Sequence, residues 1–134
     1  MALDQSRIHD LACSYTEAWC SRDPARVAEH YVPGGTIAIN GGEPTEVTEV
    51  ARSFVSAFPD IEVFMDDLVF KDATVEYHWT FAGTNTGPGG TGKAVRISGF
   101  EEWKLCDDGL VVESNGHYDQ AEYDRQLEHG VTDP

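Results

Sequence analysis

The stretch that decides the fold is residues 94–119, AVRISGFEEWKLCDDGLVVESNGHYD. Apolar residues alternate with polar ones through residues 94–105, which is the period of a β-strand. Residues 106–109, CDDG, have the composition of a hairpin turn. A last strand is predicted over residues 110–119. The stretch therefore predicts two long antiparallel strands joined by a tight turn.

The rest of the chain surrounds this hairpin with more strands and several helices. Period-two alternation predicts strands at 61–70 and 74–86, and a short strand at 36–39. Helical spacing predicts helices at 5–20, 25–30, 45–58 and 120–129. Helices followed by a run of antiparallel strands predict an α+β fold with the helices on one face of a curved sheet. We expect one domain over residues 1–134, with flexible ends at 1–4 and 130–134.

A glycine-rich segment, GPGGTGKA at residues 87–94, differs from a phosphate-binding loop at one position. Ala94 stands where that loop needs Ser or Thr for its Mg²⁺ ion. A phosphate-binding loop also opens a helix, because the amides of the helix N-terminus hold the phosphate. Here the segment leads into a strand, so it is predicted to be a hairpin loop and not a nucleotide site.

Composition excludes several classes of partner. The net charge is −15, from 24 acidic residues against 9 lysines and arginines, which disfavours nucleic acids and anionic membranes. No apolar run approaches the roughly 20 residues of a membrane span, so we expect a cytoplasmic protein. Cys13, Cys20 and Cys106 are expected to be free thiols. The histidine spacings predict no metal site.

Glu101 is a polar residue within an apolar pattern. It alternates with Ile97, Trp103 and Leu105, so its side chain is predicted to face the same way as theirs. Burial there would raise the pKa of the carboxyl, as a general acid or hydrogen-bond donor requires. The alternative is a β-bulge that returns Glu101 to solvent, and the pattern leaves both open.

Four further polar residues are candidates for the site. Tyr15 lies on the apolar stripe of the first predicted helix, where a buried hydroxyl needs a partner. Asn115, His117 and Asp119 share one face of the last strand, and Asp119 beside His117 is a candidate acid/base pair. The alternatives are a core tyrosine and the solvent face of an antiparallel strand.

Short motifs over nearly the whole chain resemble the SnoaL-like polyketide cyclase branch of the nuclear transport factor 2-like superfamily. The opening segment YTEAWCSRDPARVAEHY also fits, and the later motifs are Gly83-Thr84 with Gly87, Thr91-Gly92-Lys93, Asp108-Gly109, Glu113 with Asp119, and Gln126-Leu127. The resemblance implies a conical barrel, in which a curved sheet wraps around three N-terminal helices and encloses an apolar pocket. It also implies homodimers that pair through their sheets.

The resemblance implies two conflicting arrangements of the last strand. In the cyclases an aspartate matching Asp119 is the acid/base of a cofactor-free aldol closure, and the family usually has Trp at the position of Asn115. The related ketosteroid isomerases carry oxyanion-stabilising groups that match Tyr15 and Glu101, whereas Ile39 occupies the place of their base. The isomerase register would turn a different set of side chains into the pocket: Ser114, Gly116 and Tyr118.

The function predicted from the sequence is a cofactor-independent acid/base enzyme that acts on a small hydrophobic carbonyl compound. Asp119 would transfer protons with His117 beside it, and Glu101 with Tyr15 would stabilise an enolate oxygen. The predicted pocket residues are Trp19, Phe54, Phe58, Trp79, Trp103 and Asn115. The alternative is a non-catalytic domain of the same fold that binds a ligand or mediates dimerisation.

Overall fold

The computed structural model describes residues 5–131 and contains four helices and six strands in that range. The helices are α1 (Gln5–Cys20), α2 (Pro24–Ala28), α3 (Val47–Ala57) and α4 (Gln120–His129), and the strands are β1 (Tyr31–Ile39), β2 (Thr45–Glu46), β3 (Glu62–Phe70), β4 (Val75–Thr84), β5 (Ala94–Leu105) and β6 (Val111–Tyr118). The predicted flexible ends lie outside the described residues, apart from residues 130 and 131.

The six strands form one curved sheet in the order β2-β1-β6-β5-β4-β3. Strands β1 and β6 run parallel, and the other neighbouring pairs are antiparallel. The inward faces of these strands and the apolar stripes of α1 and α3 form one core. This arrangement confirms the predicted α+β fold, with a mixed sheet wrapped around the N-terminal helices.

The first strand is longer than the sequence pattern predicted, and the helix before it is shorter. Helix α2 ends at Ala28, and β1 already begins at Tyr31. Pro33, Gly34 and Gly35 lie inside β1, where its pairing with β6 shifts register between Tyr31 and Thr36. Glycine permits the positive φ of 80° at Gly34, so this segment bulges the strand without ending it.

The glycine-rich loop between β4 and β5 packs against the C-terminal end of α3. The Asn85 side chain donates to the Ala57 carbonyl at 3.1 Å and accepts from the Thr91 amide at 2.8 Å. A Cβ at Gly87 would lie 1.9 Å from the Ser56 carbonyl oxygen, so only glycine fits there. The loop is the predicted hairpin connection, in which Gly87 and Gly90 permit close packing and Gly89 and Gly92 adopt positive φ.

Two smaller predictions concern the cysteines and the membrane. Cys13, Cys20 and Cys106 are all free thiols. The Cys20 sulfur lies 3.2 Å from the Val63 carbonyl oxygen, in a contact that joins α1 to β3. Among the helices of residues 5–131, none is both long and apolar enough to cross a membrane.

Candidate functional site

A cavity of about 50 Å³ lies between the concave face of the sheet and helices α1 and α3. At roughly 10–15 Å³ for one water, it is large enough for a few waters or a small organic group. Nearly all of its lining is apolar or aromatic, and Glu101 is the one carboxylate among the described residues that line it. The lining residues are Trp19, Ile37, Ile39, Val50, Phe54, Ile61, Val63, Tyr77, Trp79, Phe81, Glu101, Gly116 and Tyr118.

Glu101 points into the molecule, as the alternation along β5 predicted, and only 8% of it is exposed. Its Oε1 atom accepts hydrogen bonds from Ser114 Oγ at 2.8 Å, Tyr15 Oη at 3.0 Å and Trp103 Nε1 at 3.0 Å. The Tyr31 hydroxyl donates to the same oxygen at 3.4 Å. All four bonds converge on Oε1, which leaves Oε2 as the oxygen available to a molecule in the cavity.

Opposing effects act on the protonation of this group. Burial raises the pKa of Glu101, and the donors Trp103, Ser114, Tyr15 and Tyr31 act in the opposite direction because they stabilise the carboxylate. Burial also raises the pKa of both tyrosines well above the usual value, and the negative charge of Glu101 adds to this effect. The tyrosines therefore stay protonated, and the site can hold Glu101 either as an acid or as a carboxylate.

The structure divides the residues predicted to line the pocket into two groups. Trp19, Phe54 and Trp79 line the cavity. Trp103 is fully buried behind it, where it stacks on Tyr77 with ring centroids 4.9 Å apart. Its indole reaches the site only through the bond to Glu101.

Phe58 and Asn115 also lie outside the cavity lining. Phe58 is fully buried and packs against Phe81, with ring centroids 5.1 Å apart. Asn115 pairs with Glu102 of β5 and Ala38 of β1 on the face of β6 opposite the cavity. Asn115, which was predicted to line the pocket, is therefore not part of the cavity lining.

The side chains of Asp119 and His117, the predicted acid/base pair, lie away from Glu101 and outside the cavity lining. Both are exposed. The Asp119 carboxylate caps α4 by accepting from the Glu122 amide at 3.1 Å. His117 packs beside Phe100 on the outer face of the sheet, with ring centroids 5.0 Å apart. The regular alternation of β6 turns His117 away from the cavity, and Asp119 follows the end of β6 as the N-cap residue of α4.

The same alternation turns Ser114, Gly116 and Tyr118 inward, as the isomerase register required. Ser114 binds Glu101, while Gly116 and Tyr118 line the cavity. Gly116 pairs directly with Glu101 across the strands, so the space above the carboxyl is free of a side chain. The pairing of β5 with β6 is regular from Gly99–Tyr118 to Lys104–Glu113, and its register shift lies beyond Lys104.

The sequence reasoning missed Tyr31 as a site residue, because Tyr31 was assigned to the end of the second helix. The proline and two glycines that follow it resemble a helix terminator. Its position in β1 places its hydroxyl 3.0 Å from that of Tyr15. Reading the proline and glycines as a bulge within a continuing strand would have placed Tyr31 in β1.

Among residues 5–131, no group of three or more His, Cys, Asp or Glu side chains is placed to hold a metal ion.

Comparison with known proteins agrees with this architecture. The family profile described as SnoaL-like polyketide cyclase matches residues 9–127. No curated protein sequence matches the chain.

Three known structures share the fold at low sequence identity. TsrD from Streptomyces laurentii is 22% identical with a TM-score of 0.80, over 94% of this chain and 98% of that one. IdmH from Streptomyces antibioticus, a candidate polyketide cyclase, is 22% identical with a TM-score of 0.71, over 90% and 97%. SalBIII, an epoxide hydrolase/cyclase-like enzyme in pyran ring formation in the polyether salinomycin, is 17% identical with a TM-score of 0.75, over 89% and 95%. At these identities the likeness describes the fold alone.

Proposed function

This chain belongs to the SnoaL-like polyketide cyclase family, and on that premise we propose that it is a cofactor-independent acid/base enzyme acting on a small hydrophobic carbonyl compound. The observation that carries the proposal is Glu101, the one carboxylate among the described residues that line the apolar cavity. Burial raises the pKa of this carboxyl, and a carboxyl with a raised pKa is a better proton acceptor and can return the proton to the product.

The proposed step is proton transfer at the carbon next to a carbonyl group. The Glu101 carboxylate takes the proton through Oε2, the C–H bond breaks, and its electron pair moves onto the carbonyl oxygen to form an enolate. The protonated Glu101 then returns a proton to the enolate or to the product of its addition to a second carbonyl. No electrons leave the substrate, so the step needs no redox partner.

The residues on Oε1 position this group. Tyr15, Tyr31, Trp103 and Ser114 donate to one oxygen and thereby restrict the rotation of the carboxyl. Their bonds stabilise the charged form and keep burial from making Glu101 a permanently neutral acid. In this role Tyr15 acts through Glu101. The sequence had placed it at the enolate oxygen.

The family and the relatives support this class of chemistry. IdmH is described as a candidate polyketide cyclase, and SalBIII as an epoxide hydrolase/cyclase-like enzyme. Both descriptions name cyclase activity, and cyclisation is a reaction for which positioned acid/base groups are suited. Because the cavity here is only about 50 Å³, the reacting part of the substrate is proposed to be small or flat.

Hydrogen exchange tests the proposal without knowledge of the substrate. Cyclopentanone is incubated with the protein in D₂O, and loss of its α-proton signal is followed by NMR. We expect exchange above the buffer rate with the unmodified protein, and loss of at least 100-fold of that excess with Glu101→Gln. Asp119→Asn is the matched control, because it removes a carboxylate outside the cavity, and it should exchange like the unmodified protein.

Two results would remove Glu101 from this role. Equal excess exchange by Glu101→Gln and the unmodified protein would place the chemistry elsewhere. A loss of exchange in Asp119→Asn, with a normally folded variant, would return the role to Asp119.

A second candidate function is ligand binding without catalysis. It is favoured by the observation that the predicted proton-transferring pair, His117 and Asp119, is exposed and lies outside the cavity. A binding protein would bind cyclopentanone in the cavity and yet leave the exchange rate at the buffer value. The same NMR samples distinguish this outcome from catalysis, because ligand resonances broaden or shift on binding even where no deuterium enters.

A further inference from the structure

The indole N–H of Trp79 is a buried donor without an acceptor. Trp79 is 9% exposed and lines the cavity. Among the described residues, its Nε1 is the one buried side-chain nitrogen or oxygen that has no hydrogen-bond partner. Buried polar groups in folded proteins are nearly always paired, so an exception in a cavity wall needs an explanation. A ligand atom is the simplest acceptor for it.

Five other donors in or beside the cavity wall have partners within the protein. Tyr15, Tyr31, Ser114 and Trp103 donate to Glu101. The Tyr77 hydroxyl is hydrogen-bonded to Thr16 on α1. Tyr118 also lines the cavity and carries a hydroxyl. Trp79 differs from the five because no described residue accepts from its buried N–H.

Trp79 and Glu101 are diagonal neighbours on adjacent strands. Glu101 pairs with Tyr77, and Trp79 pairs with Gly99, so the two side chains share the concave face one step apart. Diagonal neighbours of this kind lie roughly 7–8 Å apart at the backbone, within reach of large side chains. One small molecule can therefore contact the indole with one atom and the carboxyl with a nearby atom.

Gly99 lies opposite Trp79 on the neighbouring strand and permits close packing at that point. A Cβ built there would lie 2.3 Å from the His117 carbonyl oxygen, 3.0 Å from Trp79 Cζ2, the ring atom two bonds from Nε1, and 3.0 Å from Tyr118 Cβ. Any larger residue at this position would press on the backbone of β6 and on the N–H edge of the indole. Glycine therefore keeps the indole in its position in the cavity wall.

We propose that the Trp79 N–H binds the acceptor oxygen of an uncharged carbonyl ligand, whose neighbouring carbon then lies at Oε2 of Glu101. This inference rests on the proposed function, because it names the group that receives the developing enolate oxygen of that reaction. The ligand class follows from the lining. An uncharged ketone or ester offers one acceptor and an apolar body, whereas a carboxylate would be repelled by Glu101.

The test is an NMR titration of the indole N–H signals with two ligands of equal shape. Cyclopentanone carries the acceptor oxygen, and methylenecyclopentane replaces that oxygen by a CH₂ group. The three tryptophans of the chain give three indole signals, which single Trp→Phe variants assign. We expect cyclopentanone to move the Trp79 signal downfield, as a new hydrogen bond does, and methylenecyclopentane to leave it nearly in place.

Affinity measurements on two variants complete the test. Trp79→Phe keeps an aromatic ring but loses the donor, so it should weaken cyclopentanone binding about tenfold and change methylenecyclopentane binding much less. Trp19→Phe is the matched control, because it shortens another indole of the cavity wall and should weaken both ligands alike. If Trp79→Phe fails to fold, the titration of the unmodified protein still decides.

The outcomes separate this inference from the proposed function. In Glu101→Gln, exchange of the α-protons should stop while cyclopentanone still moves the Trp79 signal. If cyclopentanone moves the Trp79 signal but neither the unmodified protein nor any variant exchanges its α-protons, the oxygen site is retained and the acid/base function is refuted. The inference is overturned if cyclopentanone binds without moving the Trp79 signal. It is also overturned if Trp79→Phe lowers the affinity for both ligands by the same factor, or if cyclopentanone does not bind at any concentration up to its solubility.

Discussion

Glu101 combines a buried position with an unusually complete set of donors on one oxygen. Its burial disfavours the charged form, and four hydrogen bonds to Oε1 favour it. Burial has the larger effect, so the pKa stays above the ordinary value of 4.5. Burial of this carboxyl lowers the stability of the folded protein, and its raised pKa suits it to proton transfer. That combination is expected of a functional residue.

The raised pKa of Glu101 predicts how stability changes with pH. In the unfolded chain Glu101 loses its proton near the ordinary value of 4.5, whereas the folded protein retains it to higher pH. Between these two values the folded state binds more protons, so the contribution of Glu101 to stability falls as pH rises. Glu101→Gln removes this titration while preserving the shape of the side chain. We therefore expect the variant to gain stability relative to the unmodified protein from pH 4.5 upwards.

Denaturant unfolding at a series of pH values measures this difference. Comparing the two proteins cancels the carboxylates whose pKa is lowered, such as Asp60 and Glu46, because both proteins contain them. A difference in unfolding free energy that stays constant from pH 4 to pH 8 would contradict a raised pKa at Glu101.

At the scale of residues, strand alternation explains where the candidate side chains lie. Period-two alternation decides which face a strand residue occupies, and of the two positions that the sequence left open for Glu101 the structure has the buried one. Applied to β6, the same rule turns Ser114 inward and His117 outward, and Asp119 follows the strand as the N-cap of α4. The donors on Glu101 come from α1, β1, β5 and β6. No local pattern predicts such a convergence.

At the scale of elements, Asp119 is the N-cap of α4. Its carboxylate accepts from the Glu122 amide at 3.1 Å, and its backbone is extended, as an N-cap requires. We expect Asp119→Ala to lower the free energy of unfolding by about 1 kcal/mol, and Asp119→Asn to be nearly neutral because asparagine caps as well as aspartate. Thermal or denaturant unfolding of the two variants measures the difference.

The contrast between these two variants also bears on catalysis. If Asp119 acts only as a cap, cyclopentanone exchange by the remaining folded protein should be unchanged in both. Equal stability of Asp119→Ala and the unmodified protein would mean that the cap contributes nothing to the folded state.

Element existence was predictable along most of the chain, whereas element pairing was not. Helices α1, α3 and α4 and strands β3 to β6 lie close to the predicted ranges, because each has a sustained period. Strand β1 was truncated in the prediction, since Pro33, Gly34 and Gly35 resemble a terminator. The parallel pairing of β1 with β6 joins segments that are far apart in sequence. Local periodicity contains no information about such long-range contacts.

At the scale of the whole molecule, the cavity depends on residues from seven elements and the α3–β3 connection. It exists because a curved sheet and two helices do not fill the space between them, and because Gly116 contributes no side chain opposite Glu101. The aromatic residues of its wall were predictable as apolar positions. Which of them would border empty space, as Trp79 does, and which would pack in the core, as Trp103 does, depends on the final packing.

The outer face of the sheet offers a surface for a second copy of the chain, which the family resemblance predicts. His78, Phe100 and His117 form a row of stacked rings across β4, β5 and β6, with neighbouring centroids 5.2 and 5.0 Å apart. Phe64 is 42% exposed on β3, and the Arg96 guanidinium lies 5.6 Å from the centre of its ring. Exposed aromatic residues and arginine are enriched in protein interfaces.

We predict a homodimer that pairs through this face, with a mass near twice 14.7 kDa by light scattering after size exclusion. Two chains of charge −15 repel each other, so the dimer fraction should rise with salt as that repulsion is screened. Phe100→Lys places a charge in the middle of the ring row and should shift the protein to monomer. Ser53→Lys is the matched control, because it also replaces a neutral residue by lysine but at an exposed position on α3, away from the ring row. A monomer at all salt concentrations would exclude the dimer. A dimer unaffected by Phe100→Lys would place the contact on another face, because a lysine desolvated at the centre of an interface is costly.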